Sequence, residues 1–225
     1  MIIYGRNPVQ EAIRAKRRPV KRIWALQPAD WPDAVAAESS ELAYHCGSED
    51  HQGVCAEVGP YPYADPHALL ERDDALVVVL DQIQDPRNLG AVARVAEVCG
   101  ASGLVLPERR SADVTAAACK ASAGALEHLA VAQVRNIADW LDEAKKADAW
   151  VYGADADAKT SYDEPDYKGR VVLVMGSEGK GLRPKVAEHC DQLVSLPMVG
   201  RVQSLNVSTA AAAILYGILQ SRRRG

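Results

Sequence analysis

Phenylalanine is absent from this chain of 225 residues, and 4 Trp and 8 Tyr bring the aromatics to only 5%. A protein so poor in rings is not built to stack several bases on exposed aromatics, so any nucleic acid it handles is expected to be read by folded shape. No apolar run approaches the ~18 residues of a membrane span, and the N-terminus reaches Arg6 and Pro8 before a signal-peptide core can form. The expected compartment is the cytoplasm. The cysteines (Cys46, Cys55, Cys99, Cys119 and Cys190) are odd in number and lack CxxC or Cys/His metal spacing. They read as buried thiols, with no disulfide and no metal expected. GxGxxG does not follow the first strand of the alternating region, and Gly176 to Gly181 lacks the gap and the Ser/Thr of a P-loop. Nor is there a GxSxG, an HExxH or a histidine pair on one helix. Excess charge of one sign is also small, at −4 overall, so a uniformly basic nucleic-acid binder is excluded while local segregation is not.

What the chain does have is 48% hydrophobic residues, ample for a packed core, arranged in two different patterns. Residues 1–60 read as a small α/β unit. Asn7-Pro8-Val9-Gln10 has the form of a helix start with Asn as cap, and that helix runs to about Lys16. A strand is expected at 22–26, a helix at 32–39, and strands at 41–44 and 54–58. Residues 61–74, opening with Tyr61-Pro62-Tyr63-Ala64-Asp65-Pro66, suit a linker. From residue 75 to 225 apolar strands alternate with helices. Strands are expected at 75–80, 104–106, 129–134, 149–152, 171–175 and 193–196, and helices at 89–99, 112–123, 137–147, 184–189 and 205–221. Continuous apolar strands separated by helices indicate a parallel sheet covered on both faces, which binds ligands beyond the carboxyl ends of its strands.

Three of those strand ends carry unusual loops. Leu80 leads into Asp81-Gln82-Ile83-Gln84-Asp85-Pro86-Arg87-Asn88-Leu89-Gly90 and a helix bearing Arg94, with Asn88 as its natural cap. Arg94 taken alone reads more readily as a surface partner of Glu97 three residues on, a pairing worth about 0.2–0.5 kcal/mol. Met175 leads into Gly176-Ser177-Glu178-Gly179-Lys180-Gly181. Leu196-Pro197-Met198-Val199-Gly200 leads through Ser204-Leu205-Asn206 into the last helix. Backbone donors and small polar side chains at such a helix start make a floor for a polar ligand.

Together, residues 85–94, 174–182 and 196–208 resemble the three motifs of the SpoU (TrmH-like) RNA ribose 2′-O-methyltransferases of the SPOUT superfamily. The likeness covers about residues 75–221. The first 60 residues, from Ile3-Tyr4-Gly5 and Asn7-Pro8-Val9-Gln10-Glu11-Ala12 to His51-Gln52-Gly53-Val54, resemble the ribosomal-protein-like RNA-binding domain of the subgroup that methylates a guanosine in large-subunit ribosomal RNA. They are shorter between Leu26 and Glu49 than that subgroup leads one to expect.

The resemblance implies an S-adenosylmethionine-dependent enzyme with a deep trefoil knot within about residues 171–221, acting as a homodimer. It implies cofactor contacts from Met175, Gly176, Leu196, Met198 and Leu205, and catalytic roles for Arg94, Asn88, Glu178, Ser204 and Asn206. RNA phosphates are expected at Lys16, Arg17, Arg18, Arg22, Arg110 and Lys120, with His51 and Gln52 as direct contacts. For His51, a structural imidazole in a capped turn is the competing reading. The same reaction on transfer RNA, a non-catalytic RNA-binding assembly factor and a nucleotide-binding oxidoreductase are the other functions weighed.

Overall fold

The computed structural model describes residues 1–177, 179, 181–201 and 204–224. The chain opens with β1 (Ile2–Tyr4), α1 (Arg6–Ala15), β2 (Val20–Ala25), β3 (Val35–Ala36), α2 (Ser39–Cys46) and β4 (Val54–Val58). These strands form a sheet in the order β1-β4-β2-β3, antiparallel except for the short β2–β3 pair.

The helix start at Asn7 is corrected: α1 begins at Arg6 behind Gly5, whose φ of 95° suits only glycine. The first backbone N–H of the helix is satisfied from far away, by Gln52 Oε1 accepting from Arg6 N at 3.2 Å. The helix expected at 32–39 and the strand expected at 41–44 are also replaced. Residues 35–36 pair alongside β2, and residues 39–46 are helical. Leu42 and Cys46, four apart, share one helical face against Trp24 and Cys55, while Tyr44 is 86% exposed. A strand would have placed Leu42 and Tyr44 on the same side.

Residues 61–74 are not a loose linker. Ala64 N donates to Val131 O at 2.8 Å, and the Tyr61 hydroxyl donates toward the carbonyls of Leu126 (2.8 Å) and Leu129 (3.1 Å). Leu69 and Leu70 are buried. Composition marks a proline-rich stretch as irregular, and this one is irregular yet docked.

The remainder comprises β5 (Leu76–Leu80), α3 (Pro86–Val98), β6 (Gly103–Pro107), α4 (Ala116–Ala121), β7 (Ala130–Val134), α5 (Ile137–Lys146) and β8 (Ala149–Ala154). It continues through β9 (Thr160–Ser161), β10 (Arg170–Met175), α6 (Pro184–Glu188), β11 (Gln192–Ser195) and α7 (Val207–Arg224). Seven strands form one sheet, β7-β6-β5-β10-β8-β11-β9, and every pairing in it is parallel.

The alternation along β5 shows why its sequence is apolar throughout. Leu76, Val78 and Leu80 face one core with Val92 of α3, Ala118 of α4 and Ile214 of α7; Val77 and Val79 face another with Trp140 of α5 and Val186 of α6. Full burial of such side chains contributes about 1.5–3 kcal/mol each before chain entropy is charged against it. The first of those cores continues into Ile3, Val9 and Val54, so the N-terminal sheet packs directly on this layer.

Caps set the helix boundaries. Asp85, not Asn88, caps α3: its carboxylate accepts from Arg87 N at 2.8 Å with Pro86 at the first turn. Asn88 therefore lies inside the helix, with its side chain turned toward another element. Thr115 caps α4 and shortens it relative to the expected 112–123. Asn206 caps α7, accepting from Ser208 N at 2.8 Å, so the helix proper starts two residues after Leu205. Among the described residues, no helix is long and apolar enough to cross a membrane.

Candidate active site and RNA-facing surface

The carboxyl ends of β8, β10 and β11 and the first turns of α7 enclose a cleft of about 320 Å³, within the range of small-molecule sites. Met175, Gly176, Leu196, Met198 and Leu205 all line it, together with Ser204. Gly176 is required by contact: a Cβ there would overlap the carbonyl of Gly181, because the loop folds back on itself. Ser177 N donates to Gly181 O at 3.1 Å and Gly181 N to Ser177 O at 3.0 Å, closing that return.

An unforeseen pair anchors the loop to the sheet. Asp81, 1% exposed at the end of β5, accepts from Arg183 N at 3.0 Å and Arg183 Nε at 2.7 Å. A second wall was also missed: Ala154 to Asp157, just past β8, where Asp155 accepts from Asp157 N at 2.8 Å. The available signal was an aspartate at a strand end, a position where a turn and a polar ligand contact are equally served.

The polar residues divide between the cleft and its margin. Asn206 Nδ2 donates to Asn88 Oδ1 at 3.1 Å, joining the start of α7 to the first turn of α3. Asn206 Oδ1 also accepts from Ser208 Oγ at 2.5 Å. Arg94 is exposed on α3, outside the cleft lining, and among the described residues it forms no ion pair with Glu97. Glu178 lies outside the described residues. Among the described residues no group of three His, Cys, Asp or Glu could hold a metal ion.

The expected RNA contacts separate sharply by burial. Arg18 is corrected: 5% exposed, it pairs with Glu127 of the seven-stranded layer, with Nε to Oε2 at 3.0 Å, and its guanidinium lies 5.5 Å from the Tyr61 ring. Burial by itself would lower the Arg18 guanidinium, but the paired carboxylate outweighs it and the net shift is upward. His51 is corrected too. It is 5% exposed, Nδ1 accepts from Gly53 N at 3.0 Å, and Nε2 meets Ser39 Oγ at 3.2 Å, so the imidazole is committed to its own turn.

Gln52 is occupied at the start of α1 through Arg6 N. Arg17 is half-buried and donates to Leu129 O at 2.8 Å. Lys120 donates to Asp50 O at 2.8 Å over the Tyr4 ring, and partial burial lowers its ammonium. Lys16, Arg22 and Arg110 are exposed. Which cations face outward thus depends on how the two layers dock.

The chain matches the SpoU rRNA Methylase family over residues 75–216 and the RNA 2′-O ribose methyltransferase substrate binding family over residues 2–64. It is 41% identical over 243 residues to a protein of Mycolicibacterium vanbaalenii named as a tRNA/rRNA methyltransferase, covering 99% of this chain and 77% of that one. It is 36% identical over 240 residues to a Bacillus subtilis protein assigned to the TrmH family of tRNA/rRNA methyltransferases, covering 98% and 95%. The crystal structure of the SpoU methyltransferase AviRb from Streptomyces viridochromogenes in complex with AdoMet superposes with a TM-score of 0.85 at 25% identity, covering 100% of this chain and 91% of that one. The fold is that of the SPOUT class of RNA methyltransferases. Within that class, the chain belongs to the SpoU rRNA methylase family.

Proposed function

We propose that this protein transfers a methyl group from S-adenosylmethionine to the ribose 2′-hydroxyl of a guanosine in large-subunit ribosomal RNA. The observation that carries the reading is the Asn206–Asn88 contact at the rim of a cleft lined by Gly176, Leu196 and Leu205, because it brings three distant loops to one place. Ribosomal RNA is supported by the family matched over residues 75–216, which is named for it, and the N-terminal unit matches a substrate-binding family of RNA 2′-O methyltransferases. Transfer RNA is the second reading, supported by relatives named for both RNAs.

The cleft fits the donor. Met175, Val194, Leu196 and Ile214 give apolar walls, and Gly176, Ser177, Gly179 and Gly181 together with Ala154 to Asp157 bring backbone polar groups to it. When bound, S-adenosylmethionine supplies a sulfonium methyl that is already activated and leaves a neutral thioether. The protein's task is to hold the 2′-oxygen in line with that methyl and to stabilise it as its proton departs to water.

Guanidinium keeps its proton in proteins, so Arg94 acts by charge, stabilising the oxygen as it becomes negative and gripping an adjacent phosphate. Asn88, Ser204 and Asn206 orient ribose and loop through neutral hydrogen bonds. Glu178 either joins them or accepts backbone N–H groups within its own loop.

The enzyme works as a homodimer in the cytoplasm, with the active site completed at the subunit interface and residues 171–221 threaded as a deep trefoil knot. Exposed apolar side chains on the two packed helices and the loop before α7 support that interface: Val98 (59%), Val199 (101%), Leu205 (44%) and Tyr216 (46%). The deciding experiment is transfer of labelled methyl from S-adenosylmethionine to ribosomal and transfer RNA, followed by mapping of the modified nucleoside. Label on the ribose of a ribosomal guanosine is expected; label confined to transfer RNA would select the second reading, and none on either would remove both.

A further inference from the structure

One residue grips both ends of the glycine-rich loop that lines the cleft. Asp81, the first residue past β5, donates its backbone N–H to the Met175 carbonyl at 2.8 Å, where the 176–182 loop begins. Its carboxylate accepts from Arg183 N at 3.0 Å and Arg183 Nε at 2.7 Å, where the same loop ends. We infer that Asp81, acting through Arg183, is a positioning residue for methyl transfer: it clasps the loop at both ends and so sets the place of the Gly176–Gly181 return against S-adenosylmethionine. The inference rests on the reading of the cleft as the S-adenosylmethionine site, and it adds two residues that do not themselves line that cleft.

Three observations carry it. The first is the burial of the pair. The Asp81 side chain is 0% exposed and that of Arg183 is 41% exposed, so a carboxylate is taken wholly out of water to meet a cation that is not. Desolvation offsets much of the attraction in such a pair, which makes it weak ground for stability. Three nitrogens of one residue, N, Nε and Nη2, converging on one carboxylate do fix its geometry.

The second is leverage. The return is narrow: Ser177 and Gly181 exchange both backbone hydrogen bonds, and a Cβ on Gly176 would overlap Gly181 and the Leu182 nitrogen. Arg183 stands two residues beyond Gly181, so a displacement of the loop exit reaches the return with little chain to absorb it. A misplacement of about 1 Å is enough to lower a reaction rate about a hundredfold. Leu182 is buried in the same core as Val186, so the loop stays seated on the sheet when the clasp is cut.

The third is position in the chain. From Asp81 the backbone continues through Asp85, the cap of α3, to Asn88, whose side chain meets Asn206. The residue that closes the glycine-rich loop is therefore also the first residue of the loop that reaches the start of α7. Donor side and ribose side of the site are referred to one buried point.

The test uses the full chain, with S-adenosylmethionine affinity by calorimetry, KM for each substrate on the RNA that the parent methylates, and melting temperature. Arg183→Ala removes the guanidinium and keeps the backbone N–H. Asp81→Asn keeps an oxygen for that N–H and turns an amide N–H₂ on the guanidinium. Each is expected to weaken S-adenosylmethionine binding about tenfold and to raise its KM in step, with KM for RNA unchanged. Arg183→Lys, which restores a charged donor, should recover most of the affinity. Asp81→Asn combined with Arg183→Ala should lose no more than the worse single variant, because both cut the same contact. Should Arg183→Ala prove unfolded at the assay temperature, Asp81→Asn against Arg183→Lys gives the same comparison.

A lowered melting temperature with unchanged S-adenosylmethionine affinity in the folded variants would reduce the clasp to an ion pair of the fold and overturn the inference. So would a raised KM for RNA with donor affinity unchanged, which would make Arg183 an RNA contact. Ala156→Trp separates this from the reading of the cleft, since Ala156 lines it from the 154–157 turn, outside the clasped loop. Donor binding lost in Ala156→Trp and normal in the clasp variants would keep the cleft and fault the clasp. Donor binding unchanged in Ala156→Trp would fault the cleft itself, and the inference with it.

Discussion

Asn206 and Asn88, 118 positions apart, share a side-chain hydrogen bond of 3.1 Å that ties the start of the last helix to the first turn of α3. Removing either amide should lower methyl transfer about tenfold or more, because positioning errors are amplified at a reacting centre. Asn206→Ala should in addition cost about 1 kcal/mol of stability, since Asn206 also caps α7. Melting curves and initial rates for the two single variants and the double should show non-additive rates, with an interaction energy of about 0.5–3 kcal/mol. Strict additivity in the rates would mean the two residues act separately.

Gly176→Ala should abolish measurable S-adenosylmethionine binding while the protein stays folded. The added methyl overlaps backbone rather than a movable side chain, so the 176–181 return has to open. Overpacking of this kind costs about 1–3 kcal/mol, which a sheet of seven strands can absorb. Calorimetry alongside circular dichroism distinguishes a lost site from a lost fold.

Glu127→Ala leaves the buried Arg18 guanidinium without its carboxylate and should destabilise by about 3–5 kcal/mol. Replacing both, Arg18→Met with Glu127→Leu, should recover most of that loss, because the pair's desolvation cost disappears with its attraction. Urea unfolding of the three proteins reads the difference directly. A single variant as stable as the parent would show that the pair is not holding the two layers together.

Arg94→Lys should retain partial methyl transfer near neutral pH, since a lysine ammonium also supplies positive charge to the oxygen, though without the guanidinium's two-pronged grip on phosphate. Were Arg94 acting as a base, the lysine variant's rate would climb steeply with pH as its amine deprotonates. A pH–rate profile separates charge stabilisation from proton abstraction.

Burial pushes the Cys119 thiol up to about 11 and those of Cys55 and Cys190 up to about 12, from an ordinary value near 9. The folded state therefore prefers these thiols neutral. Their contribution to stability is complete below about pH 9 and is lost as pH rises through the folded values, so melting temperature should fall between about pH 9 and 12. At pH 8, native protein should leave the buried Cys55 and Cys119 unlabelled by a thiol reagent that reacts with them promptly in urea, with the half-buried Cys190 reacting at an intermediate rate. Rapid native labelling of Cys119 would contradict its burial.

Much of the architecture is legible in the sequence for reasons that can be named. The strand from 76 to 80 is apolar at every position because both faces are covered, and the run alone shows it. The glycines at 176 and 181 and the polar pair around 204–206 are visible because close backbone approach and helix capping demand particular residue types. Local patterns were less reliable where two periods compete. Residues 32–46 read as a helix followed by a strand until the partners of Leu42 are known, and Asn88 reads as the cap of α3 until the Asp85 carboxylate is found on Arg87 N and the Asn88 amide on Asn206.

The site shows the same division. Arg17, Arg18, Lys16 and Arg22 are indistinguishable as sequence, four cations within one short segment. Docking of the N-terminal sheet against Glu127 and Leu129 turns two of them inward and leaves two outside. The wall at 154–157 and the Asp81–Arg183 anchor were likewise missed, since an aspartate at a strand end serves a turn as well as a cleft and only strands far along the chain decide between the two.

By itself, then, the sequence determined the alternation of strands and helices, the three loops and the family to which they belong, because hydrophobic period, caps and glycines act over a few residues. Only the tertiary structure decided which charges are buried, which asparagines meet and which turns wall the cleft. Those outcomes depend on desolvation and on contacts between segments remote in the chain, and neither has a local signature.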